Sequence, residues 1–173
     1  AEAIAFAKLA YQISEQFDTP VLLKMCTRVS HSQSVVEPGE RVEALKEHVK
    51  DIPKYVMMPG NAKRRHPVVE ARTQALIAYA EDADVNYIDP GTDKAMGFIT
   101  SSTSYQYVKE VFGNKYPVLK LGMIWPLPVN KIKAFAAAVD KLVVVEELDG
   151  FIECHCRDLG LDCVGKDTFS CID

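Results

Sequence analysis

Between Lys94 and Gly122 two short apolar runs flank one helical repeat. Ala95 to Ile99 is apolar and leads into Thr100, Ser101, Ser102, Thr103 and Ser104, a hydroxyl-rich turn of the kind that ends a buried strand and opens a helix. Tyr105, Val108 and Phe112 then recur at helical spacing, Gly113 and Asn114 stop the repeat, and Val118, Leu119 and Leu121 form the second run. Strand, helix and strand in succession predict a βαβ unit. Its strands should be parallel, with a right-handed crossover, because a twisted sheet packs a right-handed helix back onto itself only that way.

The pattern repeats downstream. Pro126 to Val139 carries Ile132, Phe135, Ala136 and Val139 on one helical face, and Lys141 to Glu147 holds the continuous run Leu142–Val145 expected of a strand covered on both faces. A helix from about Gly150 to Leu159 and a strand from Leu161 to Val164 complete a four-strand series. The fold class is therefore α/β, a doubly wound and mostly parallel sheet flanked by helices. Upstream, Phe6, Ala10, Ile13 and Phe17 form one stripe of an amphipathic helix over residues 1–17, and Val21 to Leu23 reads as a short strand after Pro20. This predicts the end of another α/β segment, as in a piece cut from a longer chain. From Ser32 to Asp93 the alternation lapses. Val42, Leu45 and Val49 mark a short helix, Ile52-Pro53 breaks it, Tyr55 to Met58 ends at Pro59-Gly60, and Val69, Thr73, Leu76 and Ala80 share the face of a further helix. Residues 1–36, 37–93 and 94–173 are thus expected to be a partial domain, a connector and a complete α/β domain.

Of 173 residues, 48% are hydrophobic and 25% charged, an ordinary soluble composition, and the net charge of −4 gives no field that favours nucleic acid or an anionic membrane. No apolar run approaches the ~20 residues of a membrane span, so a cytoplasmic protein is the expectation. Five cysteines, Cys26, Cys154, Cys156, Cys163 and Cys171, lack a disulfide framework. Cys154, His155 and Cys156 invite a metal reading, but alternate residues on a helix point to different sides and no C-x-x-C chelates a tetrahedral ion. Buried structural thiols fit better, and no metal site is expected.

Four polar groups are placed where α/β sheets bind ligands or cap backbone. Thr27, Arg28, Val29, Ser30 and His31 follow the run at Val21. A guanidinium and an imidazole beyond a strand's carboxyl end are candidates for substrate binding, against a polar loop whose hydroxyls cap backbone. Lys63, Arg64, Arg65 and His66 could hold a phosphate, but basic groups in a first helical turn oppose the dipole and read better as a solvated face. Ser101, Ser102 and Ser104 could cradle an anion at a helix start, yet the turn lacks glycine, and N-capping by Ser or Thr is the simpler role. Glu146 and Glu147 end a strand, where one could act chemically or both could be solvated.

The blocks FDTPVLLKMCTRVSHS, MPGNAKRRH, GFITSSTSYQYVKEVF, VLKLGMIWPLP, KLVVVEELDGFIE and VGKD resemble, in order, the alpha subunits of the indolepyruvate ferredoxin oxidoreductase family. The family often carries glycine where Ser102 stands, and Arg and Thr where Lys24 and Met25 stand. The resemblance implies that residues 1–36 end a pyrimidine-binding thiamine diphosphate domain and that residues 94–173 form a transketolase C-terminal-like domain. It implies an intact enzyme that oxidatively decarboxylates arylpyruvates to arylacetyl-coenzyme A, with ferredoxin as electron acceptor. Thiamine diphosphate, magnesium and 4Fe-4S clusters would serve the intact enzyme, together with a beta subunit and further domains of the same subunit. No catalytic residue is expected in this segment, which should be inactive and bind none of those cofactors alone. Two other readings are a related 2-oxoacid ferredoxin oxidoreductase with another substrate, and a non-catalytic docking module. An independent nucleotide-binding protein is disfavoured by the absence of G-x-G-x-x-G and of G-x-x-x-x-G-K-[ST].

Overall fold

The computed structural model describes residues 2–41 and 47–168. The chain forms two compact units, Ala1–Arg72 and Thr73–Asp173. In the first, helix α1 (Glu2–Phe17) buries Ile13, and Asp18 follows it at φ 51°, the left-handed conformation that Asp tolerates at a helix end. Lys54 Nζ lies 2.7 Å from Asp18 Oδ1, Arg65 lies 3.6 Å from Oδ2, and the Arg72 guanidinium donates to the Asp18 carbonyl. The hydrogen bond from Lys54 holds the Asp18 carboxyl below its usual range.

Val21 to Leu23 form no strand, which corrects the sequence expectation. A strand exists only where neighbours complete its ladder, and the segment belongs to no sheet among the described residues, with Leu22 91% exposed. Thr27–His31 is a short helix, α2, rather than a loop. Helices α3 (Ile52–Tyr55) and α4 (Pro59–Asp82) follow. The latter takes in Pro59, which a first helical turn accommodates because its missing N–H would be unpaired there. Val42 and Leu45 of the expected short helix lie outside the described residues, and Val49 is not helical.

The second unit carries a five-stranded sheet in the order β1-β3-β2-β4-β5. Strands β2 (Gly97–Ser101), β3 (Val118–Leu121), β4 (Leu142–Val145) and β5 (Cys163–Val164) are parallel, and β1 (Asn86–Asp89) pairs antiparallel with β3 at one edge. The edge strand falls inside the stretch expected to be a connector. Helix α5 (Ser104–Phe112) joins β2 to β3, α6 (Val129–Ala137) joins β3 to β4, and α7 (Phe151–Asp158) joins β4 to β5.

Alternation along the strands divides the core in two. Ile99, Leu119, Leu142 and Val144 pack with Ile132 and Phe135 of α6 and Ile152 and Cys156 of α7. Phe98 and Val118 pack on the other face with Val108 of α5 and Tyr116, and the Phe98 and Phe112 rings stack 4.9 Å apart. At Gly97 a β-carbon would stand 2.6 Å from Val139 Cγ1, so glycine lets the helical layer close on β2. Among the described residues no helix is long and apolar enough to cross a membrane.

Candidate functional site

The helices after β2 and β4, neighbours in the sheet, pack on opposite faces, so the sheet's topological switch point lies at the carboxyl ends of these two strands. Open α/β sheets take ligands at such a switch point. The structure brings two of the sequence-selected groups together there. Thr103 Oγ1, in the turn after β2, donates to Glu147 Oε1 at 2.5 Å, in the loop after β4. The expected N-cap by a hydroxyl is thereby corrected: Thr103 occupies the capping position of α5 with no side-chain capping bond, because its hydroxyl is committed to Glu147. Ser102 adopts φ 51°, the conformation glycine takes without strain, and Ser104 is buried.

Glu146 has a structural role. Its Oε2 and Oε1 accept from the backbone N–H groups of Ile152 and Glu153 at 2.9 and 3.0 Å, capping α7 with a carboxylate at the positive end of the helix. Below it, buried Glu153 accepts from Lys166 N at 2.8 Å and ion-pairs with Arg157, whose Nη2 is 2.5 Å from Oε1. A β-carbon at Gly165 would stand 2.2 Å from the Glu153 carboxyl carbon, so only glycine admits that carboxylate. Glu153, fixed in this way, holds the loop that follows β5.

A second polar group, not selected from the sequence, lies on the α5 side of the sheet. Lys120 of β3, 3% exposed, places Nζ 4.7 Å from the Tyr105 ring centroid and 5.5 Å from that of Tyr87. Tyr105 donates its hydroxyl to Asp89 Oδ2 at 2.9 Å, and Lys109 Nζ is 2.7 Å from the same oxygen. Lys109 holds the Asp89 carboxyl below its usual range, while burial, with the Asp89 carboxylate adding to it, pushes the Tyr105 phenol up. Thr100, beside Lys120 in register, is fully buried, and Oγ1 has no hydrogen-bond partner among the described residues. The available signal was a lysine inside the apolar run VLKL.

The first unit places Arg28 and His31 on α2, both exposed. Ser30 Oγ and Ser32 Oγ donate to the Cys26 and Val29 carbonyls at 3.2 and 2.8 Å, so these two hydroxyls serve backbone. Among Lys63, Arg64, Arg65 and His66, Arg64 donates to Asn61 at 2.6 Å and His66 lies 3.6 Å from Glu70, within the first turns of α4. Cys154 is exposed and Cys156 buried, so they point apart. Burial pushes the Cys156 thiol up to about 12. No group of three or more His, Cys, Asp or Glu side chains converges among the described residues. A shallow cavity of 240 Å³ lined by Lys133, Val139, Leu142 and Leu161 lies at the opposite, amino edge of the sheet.

No family model matches the chain. It is 36% identical over 170 residues to the indolepyruvate oxidoreductase subunit IorA of Archaeoglobus fulgidus, covering 92% of this chain and 26% of that protein. The IorA subunits of Methanothermobacter thermautotrophicus and Thermococcus kodakarensis are 33% and 30% identical, each over 88% of this chain and 26% and 25% of their own lengths. The chain thus spans about a quarter of the length of these curated relatives. Among solved structures, a 2-oxoglutarate:ferredoxin oxidoreductase from Magnetococcus marinus, with 2-oxoglutarate, coenzyme A and succinyl-CoA bound, overlaps 64% of this chain and 20% of its own, with a TM-score of 0.47 and 18% identity.

Proposed function

We infer, from a chain related along 92% of its length to one segment of the indolepyruvate oxidoreductase subunit IorA, that it serves an enzyme which oxidatively decarboxylates arylpyruvates. That enzyme joins the acyl product to coenzyme A and delivers electrons to ferredoxin through 4Fe-4S clusters, working with a beta subunit. The observation that carries this reading is the continuous similarity to several such subunits over both units of the chain. In this reading residues 1–36 close the pyrimidine-binding domain, 37–93 connect, and 94–173 form a transketolase C-terminal-like domain, to whose sheet the connector adds the edge strand β1.

Thiamine diphosphate, when bound with magnesium in the intact enzyme, supplies the carbanion chemistry at the keto carbon. In this reading the segment contributes positioning and assembly to the intact enzyme and is inactive alone. Its candidate contact with substrate is the exposed α2 helix. Arg28 can hold the carboxylate of a 2-oxoacid through two parallel hydrogen bonds, with the His31 imidazole nearby as a proton donor. Ser101, Ser102 and Ser104 shape the turn that opens α5. The test is an assay of the intact subunit pair with coenzyme A, ferredoxin and a panel of 2-oxoacids. At least tenfold higher kcat/KM for indolepyruvate and phenylpyruvate than for pyruvate and 2-oxoglutarate is expected, and preference for an aliphatic 2-oxoacid would refute the substrate assignment.

A further inference from the structure

We draw no further inference here: the strongest candidate, the side-chain cluster of Lys120, Thr100, Tyr87 and Tyr105 between β3 and α5, buries its ammonium and its threonine hydroxyl, Lys120 being 3% and Thr100 0% exposed, and nothing in the structure points to a ligand that would reach them.

Discussion

Replacing Val144 with Asp puts the sheet assignment at risk most sharply. Val144 is 3% exposed in β4, a strand with a neighbour on each side: Val144 stands opposite Ile99 of β2, and Leu142 opposite Cys163 of β5. Its side chain enters the cluster of Ile99, Leu119, Ile152 and Cys156, which contains no cation. The substitution forfeits the burial of a valine, about 1.5–3 kcal/mol, and places an unpaired carboxylate in an apolar layer. That adds several kcal/mol, whether as a desolvated charge or as the work of protonating it. Together these approach or exceed the whole stability of an ordinary domain, about 5–15 kcal/mol. Val144→Ala, which removes only methyl groups, should cost roughly 2–3 kcal/mol and leave a folded reference. Circular dichroism melts and urea titrations of both variants are the assay. Val144→Asp should express insolubly or melt without cooperativity, whereas Val144→Ala should show a lower midpoint with an unchanged urea slope. A soluble Val144→Asp protein with an unaltered melting temperature would refute the placement of β4.

Other consequences are open to direct measurement. Arg28→Ala in the intact enzyme should lower kcat/KM for arylpyruvates by tenfold or more with little change in melting temperature, in line with about 1.5–3 kcal/mol for a hydrogen bond to a charged group; unchanged kinetics for both Arg28→Ala and His31→Ala would leave α2 a structural element. The Asp89 carboxyl is depressed in the folded state by Lys109, so its stabilisation is present above the unfolded value near 4 and is lost as pH falls through the folded one. Asp89→Asn should flatten that acid limb in pH-dependent urea titrations and cost roughly 1 kcal/mol at pH 7, where the half-buried pair is partly screened. The Cys156 thiol, raised to about 12 chiefly by burial, favours folding below the unfolded thiol value and loses that contribution as pH rises above it. In native protein at pH 8, Cys154 should react with a thiol reagent within minutes and Cys156 only on unfolding; equal rates would contradict the packing of α7.

The parallel strands were legible because both their faces are covered. Leu142 to Val145 reads as an unbroken apolar run since α7 and α6 lie on one side and the α5 layer on the other. β1 was not legible: Asn86–Asp89 has a single buried residue in four and pairs on one side only, so neither periodicity nor an apolar run marks it. The opposite error arose at Val21 to Leu23, where composition suits a strand but a ladder depends on partners that local pattern cannot report. At the carboxyl edge the sequence located the Ser101–Ser104 turn and the Glu146–Glu147 pair, yet could not foresee that Thr103 and Glu147, 44 residues apart, would bond to each other. It also could not distinguish Glu146, whose carboxylate is used up on two helix amides, from its neighbour. Lys120 and Asp89 escaped notice for the same reason, because their partners come from β1 and α5.

The claim that this chain is one dependent segment of a thiamine diphosphate oxidoreductase is tested most directly by calorimetric titration with thiamine diphosphate and magnesium, run in parallel on the 173-residue chain and on the intact subunit pair. Saturable binding at micromolar affinity or tighter is expected for the intact pair, and no heat of specific binding for the chain alone. Micromolar binding by the chain alone, or no binding by either sample, would contradict it.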